Sequence, residues 1–386
     1  MATRKGNGTG NERRLKSGAW AIERMYEGQR LYASGRTKTV AQKAMREQIA
    51  RMDAGMAPRD STSTLGAWIQ DWRCKGLKAR GIKESTRSTY DTLLRCHVVG
   101  AAEHEGRSSI DADPIAGVTL DKLKPTHIKE WMLRLEDDGL GAASRRQLYH
   151  VMRLALEDAV DDDLIARNPA AKVERPVVEQ HEAKYLPPAD LVRLLKAASD
   201  LRYHEVLVLV AVTGLRRGEA LALKWEDIDL LVGVATVRGT LARVGGKLVT
   251  TSPKTKKSAR KVVLVPAVVE MLARLADQQE REKVHASNLW TDTGFVFTTE
   301  TGRPVDPRNV FRTMQTAAKR ANITGIGVHT LRHSVATGMM DGGENVKVVS
   351  GLLGHSSSEI TLDVYTHETP DAQRHAVENW AAQIGM

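Results

Sequence analysis

The chain has 386 residues, of which 41% are hydrophobic and 27% are charged. This length exceeds what one hydrophobic core usually organises, so two or three domains are expected. No apolar run approaches the length of a membrane-spanning helix, and the basic start of the chain lacks the apolar segment of a secretion signal. These features exclude a membrane-spanning protein and predict a soluble, cytoplasmic one. Cys74 and Cys96 are too few for a disulfide framework and lack zinc-ligand spacing, so both are expected to be reduced. The sequence shows no metal-ligand cluster and no phosphate-binding glycine loop, so neither a metal nor a cofactor is expected.

The formal charge of +10 suggests a polyanionic partner, and most of the surplus lies at the start of the chain. Residues 1–60 carry a net charge of +7, residues 61–176 are balanced, and the remainder carries +3. This distribution favours DNA binding by the first segment. A solvated basic tail is the alternative interpretation.

The first 60 residues predict a small α+β module. After a Gly-rich start, which we expect to be flexible, two short strands meet at a turn at Glu27-Gly28, and Trp20, Ile22 and Tyr26 share one face by period two. A helix follows over about residues 39–54. The candidate DNA-contacting residues of this module are Arg24, Arg30, Arg36 and Lys38. Alternatively, the module is a capping domain with ordinary surface charge.

Residues 61–176 predict an all-α domain between two linkers. A stripe of Leu65, Trp68, Ile69 and Trp72 opens the first helix. Further helices are predicted at residues 85–96, 125–137 and 142–160. Because the domain is neutral, a DNA-binding face requires segregated charge. The candidates for that face are Lys83, Arg87, Arg145 and Arg146, and a solvated helix face is the alternative.

Residues 177–386 predict a mixed, mainly helical domain. A three-stranded antiparallel sheet is expected between residues 233 and 265, with Gly245-Gly246 as its first turn and residues 253–259 as its second connection. Lys254 is then on or beside a hairpin. The predicted helices are at residues 188–198, 204–214, 266–283, 307–321, 330–341, 345–353 and 358–365.

Six polar residues in this domain suit one chemistry, the attack on a DNA phosphodiester. They are Arg216, Lys254, His329, Arg332, His355 and Tyr365. Stabilising the five-coordinate transition state is the main requirement, and arginine suits it because a planar guanidinium stays charged and binds two oxygens at once. Arg216 and Arg332 are the predicted pair. His329 shares a helix face with Arg332, and His355 would donate to another oxygen.

Tyr365 is the predicted nucleophile. Its ordinary pKa of about 10 makes deprotonation at pH 7 roughly 4 kcal/mol uphill, which nearby cations would offset. Lys254 would protonate the departing 5′ oxygen as the general acid. Alternatively, Lys254 clamps a phosphate, a role that Lys256 and Lys257 would share.

In the order and approximate spacing of its motifs, the chain resembles the tyrosine recombinases of the phage integrase family over about residues 180–370. The motifs are TGLRRGE, the hairpin lysine, HTLRH, LGHSS and the tyrosine before TH. The resemblance implies a transient 3′-phosphotyrosine, resolved by a free 5′-hydroxyl without metal or nucleotide. It also implies a homotetramer on double-stranded DNA that integrates and excises a phage or mobile element in a bacterial cell, close to the nucleoid. The helical domain then resembles a core-site-binding domain and the first module an arm-binding domain. A host DNA-bending protein and a directionality factor are possible partners.

The last residues carry an apolar stripe of Ala376, Val377, Trp380, Ala381 and Ile384. A helix this short buries little alone, so it is expected to dock on a neighbouring protomer or within its own. Three other functions stay open: a type IB topoisomerase, a chromosome-dimer-resolving recombinase, and a non-catalytic DNA-binding regulator.

Overall fold

A computed structural model provides the structure, which divides into two compact units, Met1–Glu179 and Gln180–Met386. The residues that it describes are 11–15, 17–53, 63–102, 109–179, 184–251 and 259–354. Within these ranges no helix is both long and apolar enough to cross a membrane.

The first unit opens with a three-stranded antiparallel sheet that packs on one helix. The elements are β1 (Asn11–Arg14), β2 (Trp20–Tyr26), β3 (Gln29–Gly35) and α1 (Lys38–Asp53). As predicted, β2 and β3 meet at Glu27 and Gly28, whose φ angles of 47° and 81° are those of a tight hairpin turn. Ile22 of β2 and Met45 of α1 are buried in the core that joins sheet and helix.

Strand β1 lies in the segment that we expected to be flexible, so that expectation is wrong for Asn11–Arg14. The sequence NERR has no apolar alternation, which is the signal that sequence analysis uses for strands. Backbone pairing with β2 and the contacts of Glu12 hold it instead. Glu12 accepts a hydrogen bond from Gln42 at 3.2 Å and forms an ion pair with Lys38 at 2.7 Å.

The rest of the first unit is a helical bundle in the described residues. Its helices are α2 (Leu65–Cys74), α3 (Gly76–Ala79), α4 (Glu84–Leu94, continued by a π-helical turn), α5 (Pro125–Asp137) and α6 (Ala142–Asp161). The predicted stripe on α2 faces the core, with Leu65, Ile69 and Trp72 buried. The Trp72 indole donates to Asp158 of α6 at 2.6 Å, which ties the first and last helices together.

The second unit is mainly helical. Its helices are α7 (Pro188–Ala197), α8 (His204–Thr213), α9 (Arg217–Ala222), α10 (Pro266–Ala286), α11 (Pro307–Arg320), α12 (Val328–Asp341) and α13 (Val346–Leu353). Helix α8 is apolar all round and lies in the middle of the core, against α7, α9, α11 and α12. The predicted helices are confirmed to within a few residues, apart from 358–365, which lies outside the described residues.

The strands of the second unit differ from the predicted three-stranded meander. They are β4 (Ile228–Asp229), β5 (Val234–Val237), β6 (Thr240–Val244), β7 (Lys247–Thr251) and β8 (Arg260–Val263). β6 and β7 form the expected hairpin at Gly245-Gly246, but β8 pairs with β5 in a separate β4-β5-β8 sheet. The reason is burial. Ala235 and Val262 lie opposite each other across β5 and β8, and both are fully buried.

Candidate active site

Arg216 is held at a sharp break between two helices. Helix α8 ends at Gly214, which has a left-handed φ of 66°. A Cβ on Gly214 would lie 2.6 Å from a methyl carbon of Leu353, so glycine is required here for its conformation and for its size. Leu215 then turns into the core, and Arg216 becomes the residue that precedes α9. The sequence TGLR is therefore a helix end that projects an arginine.

Glu219 holds Arg216 in this position. The Arg216 guanidinium donates from Nη1 to Oε1 of Glu219 at 2.8 Å, and the Arg216 backbone N–H donates to Oε2 at 2.9 Å. The Arg216 side chain remains 40% exposed, so it is accessible from solvent. Burial alone would raise the pKa of Glu219, but hydrogen bonds and charge from Arg260 and Arg216 hold that pKa below its ordinary value. The carboxylate is therefore ionised at neutral pH.

Arg332 is buried, with 2% of its surface exposed, where α8 and α13 end together. Its Nη1 donates to the carbonyl oxygen of Gly214 at 2.7 Å and its Nη2 to that of Leu353 at 2.8 Å. Terminal helix carbonyls lack partners within their own helix and carry partial negative charge, so a buried guanidinium suits both. Arg332 thereby fixes the backbone two residues before Arg216, which brings the two predicted arginines into one site.

His329 lies on the same site, three residues before Arg332 on α12. Its pKa is lowered to about 4, first by burial and then by the positive charges of His333, Arg332, Arg216 and Arg217. Part of the residue is exposed to solvent, although neighbouring atoms surround its ring. The ring makes a T-shaped contact with the His333 ring, and the two centroids are 4.8 Å apart. His329 is thus neutral at pH 7 in the DNA-free protein. It can donate or accept a hydrogen bond, but it adds no charge.

Sequence reasoning gave no role to Glu219 or Arg217. Arg217 is half-buried, and burial lowers its pKa while Asp306 partly opposes that shift. A signal for both residues was present in TGLRRGE, where a second arginine follows the first and a glutamate stands three residues on, at capping-box spacing.

The remaining predicted catalytic residues, Lys254, His355 and Tyr365, lie outside the described residues. The same holds for Lys256 and Lys257 and for the C-terminal stripe. The structure describes the chain up to Gly354, which ends α13 with a left-handed φ of 67°. In the described ranges, no group of three or more His, Cys, Asp or Glu side chains is arranged to hold a metal ion.

Known sequences resemble this chain over the region that contains these residues. Residues 184–371 match the sequence model of the phage integrase family. The chain is 27% identical over 362 residues to a tyrosine recombinase XerC-like protein of Caldanaerobacter subterraneus subsp. tengcongensis, with 89% of each chain covered. It is 28% identical over 349 residues to an integrase of Streptomyces ambofaciens, with 86% of this chain and 83% of that protein covered. Residues 184–371 therefore form a domain of the phage integrase family.

Solved structures of integrases share the fold. The Tn1549 transposon integrase in complex with a circular intermediate DNA matches with a TM-score of 0.64 at 22% identity, covering 83% of this chain and 100% of that one. A lambda integrase tetramer bound to a Holliday junction matches with a TM-score of 0.57 at 18% identity, covering 95% and 99%. The helical units with small sheets described above are therefore of the integrase type.

The predicted DNA-contacting residues of the N-terminal module lie on different parts of its sheet. Arg24 lies two residues after Ile22 and therefore on the same face of β2, the face that packs against α1. The Nε atom of Arg24 is buried without a hydrogen-bond partner. Arg30 lies on the outer face and is paired with Glu23. Arg36 is exposed between β3 and α1, and Lys38 is exposed at the start of α1, with its ammonium 5.7 Å from the centre of the Trp20 ring. Their DNA contacts stay predictions.

The predicted DNA-contacting residues of the helical bundle lie on or directly before α4 and on α6, two helices that contact each other. Lys83 is exposed just before α4, and Arg87 is paired with Glu84. The bundle also holds Arg145, partly buried and paired with Glu136 at 2.7 Å, and Arg146, half-buried beside it. Contact between this face and DNA also stays a prediction.

Proposed function

We propose that this chain is an integrase that cuts and rejoins DNA strands at specific sites through a tyrosine linkage. The observation that carries the proposal is the joining of Arg216, Arg332 and His329 into one site by the Gly214 carbonyl and the α8–α9 break. Two guanidinium groups and one neutral imidazole provide charge and hydrogen bonds for a phosphorane without a metal ion. Two relatives are named as a tyrosine recombinase XerC-like protein and an integrase, which agrees with this proposal.

The proposed reaction uses all six predicted groups at the scissile phosphate. Tyr365 releases its phenolic proton to solvent and its oxygen attacks the scissile phosphorus. The bond to the 5′ oxygen breaks while Lys254 gives that oxygen a proton. Arg216 and His355 bind the nonbridging oxygens as negative charge grows. His329, neutral before DNA arrives, donates a hydrogen bond or takes up a proton once a phosphate anion is beside it.

Arg332 has a further part that sequence reasoning did not assign. Two of its N–H groups already serve the Gly214 and Leu353 carbonyls, so it organises the site in the DNA-free protein. We propose that its buried positive charge also acts on the phosphate. Reversal of the same chemistry, with a 5′-hydroxyl of a partner strand as the attacking group, rejoins the DNA and restores Tyr365.

We further propose three domains: residues 1–60 bind arm-type sites, residues 61–176 bind core-type sites, and residues 177–386 carry out catalysis. The two separate hydrophobic clusters of the first unit support the division near residue 60. Two DNA-binding domains on one chain would raise the local concentration of each site for the other. The working form is a homotetramer on DNA in the bacterial cytoplasm, close to the nucleoid, with residues 372–386 docking between or within protomers. A host DNA-bending protein and a directionality factor complete the proposed assembly.

A nicked suicide substrate tests this function. Incubated with the protein in EDTA, it should yield a covalent protein–DNA adduct, and Tyr365→Phe should abolish the adduct while leaving DNA binding intact. Arg202→Gln is the matched control, because Arg202 pairs with Glu282 elsewhere in the second unit. An adduct that persists in Tyr365→Phe would contradict the assignment of the nucleophile. No adduct on a DNA that the protein binds specifically would favour a non-catalytic regulator.

A further inference from the structure

Arg260, the first residue of β8, joins three elements that are far apart in sequence. Its Nε donates to the carbonyl oxygen of Leu352 at 2.7 Å. Its Nη1 and Nη2 donate to the two carboxylate oxygens of Glu219, at 3.4 and 3.0 Å. Only 7% of the side chain is exposed. One buried guanidinium thus ties β8 to the start of α9 and to the end of α13.

The contact with Glu219 bears on Arg216. Glu219 accepts from Arg216 and Arg260 together, so one buried carboxylate stands between two guanidinium groups. Arg260 is almost fully buried, whereas the Arg216 side chain is 40% exposed. Arg260 therefore balances the negative charge of the Glu219 carboxylate from the buried side. Without it, the buried charge of Glu219 would draw the Arg216 guanidinium inward, away from the position in which it can reach a phosphate.

The contact with Leu352 bears on the end of α13. Arg260 and Arg332 donate to the carbonyls of Leu352 and Leu353, two successive residues at the end of that helix. Gly354 then lies directly against Arg260, since a Cβ on that glycine would be 2.8 Å from Nη1. The chain continues from there to His355. In sequence, Arg260 follows Lys254 by six residues.

We infer that Arg260 is a positioning residue for DNA cleavage. It orients Arg216 through Glu219 and fixes the backbone that leads to His355. This inference rests on the proposed recombinase function. A guanidinium is needed because one planar group must reach a carboxylate and a carbonyl in different directions, which a lysine ammonium on a flexible stem does less well.

A pH profile separates this role from general stability. In the described residues, the charged groups that act on Glu219 are Arg260 and Arg216, while Arg243 of the adjacent strand β6 pairs with Asp306. Loss of Arg260 leaves the burial of Glu219 less opposed, so the pKa of Glu219 rises. If cleavage needs ionised Glu219, acidification lowers the cleavage rate of the variant at a higher pH than that of the unaltered protein. The acid limb of the pH profile is the range in which the rate falls as the pH drops. A substitution that only destabilises the core does not shift this acid limb.

The experiment compares Arg260→Gln, Arg260→Lys and the control Arg202→Gln in single-turnover cleavage of the nicked substrate at saturating protein. Arg260→Gln should cleave about 100-fold more slowly, with little change in DNA affinity, and its acid limb should lie at higher pH. Arg260→Lys should return the acid limb toward that of the unaltered protein, because charge is restored, while the rate stays below normal. Arg202→Gln should match the unaltered protein.

The outcomes separate this inference from the function on which it rests. If the unaltered protein forms no adduct, the proposed function fails. If the unaltered protein forms the adduct and Arg260→Gln cleaves at the same rate and with the same pH profile as Arg202→Gln, the positioning role alone is refuted. Should Arg260→Gln not fold, Arg260→Lys decides the matter, because it keeps a cation beside Glu219. A normal rate in that variant overturns the need for a bridging guanidinium.

Discussion

Replacement of Gly214 by alanine tests whether the break between α8 and α9 assembles the site. Two effects add at this position. An L-residue at a φ of 66° costs about 1 kcal/mol. The new Cβ would also lie 2.6 Å from the Leu353 side chain, about 1 Å inside normal contact, and overpacking of this kind costs about 2 kcal/mol. The expected loss in free energy of unfolding is therefore about 3 kcal/mol.

Gly294→Ala is the matched control, because Gly294 has a φ of 69° in the same unit and an added Cβ would meet no atom within 4 Å. It should lose only the conformational part, about 1 kcal/mol. For a domain of this size, each kcal/mol lowers the melting temperature by about 3 °C, so scanning calorimetry should show falls of about 9 °C and about 3 °C.

The same two variants separate assembly of the site from stability. Leu353 contributes a carbonyl to Arg332, so pushing it aside should slow adduct formation at least tenfold in Gly214→Ala and not in Gly294→Ala. Equal melting temperatures for the two variants would refute the collision with Leu353. Equal cleavage rates would refute the idea that this break positions the catalytic groups.

Two further predictions concern the groups around Gly214. Arg332→Met leaves the Gly214 and Leu353 carbonyls without their donor and should cost about 2–4 kcal/mol in urea unfolding; a smaller cost than for Arg202→Met would contradict this. His329 should titrate by NMR with a pKa of about 4 in the DNA-free protein, and His333→Ala should raise that pKa. Because the unfolded state takes up this proton first, stability should fall as pH drops from about 6.5 to 4, and His329→Gln should reduce that fall; a DNA-free pKa near 6.5 would rule out the cationic surroundings.

The sequence by itself predicted most of the helices and the resemblance to the phage integrase family. Prolines at the first position of α5, α7, α10 and α11 mark helix starts, and apolar spacing marks the buried faces. These signals are local, since each depends on residues within a few turns of one another. The motifs that predicted Arg216, His329 and Arg332 are equally local, which is why they could be found without a structure.

Only the tertiary structure decided which distant groups meet. It placed β8 against β5 instead of β7, and it joined Arg332 to Gly214, 118 residues away, and Arg260 to Leu352, 92 residues away. No local pattern encodes such pairs, because the side chain that satisfies a buried carbonyl or carboxylate is selected by packing of the whole unit. The physical reason is that a buried polar group must find a partner inside the fold, and the fold determines which arginine is within reach.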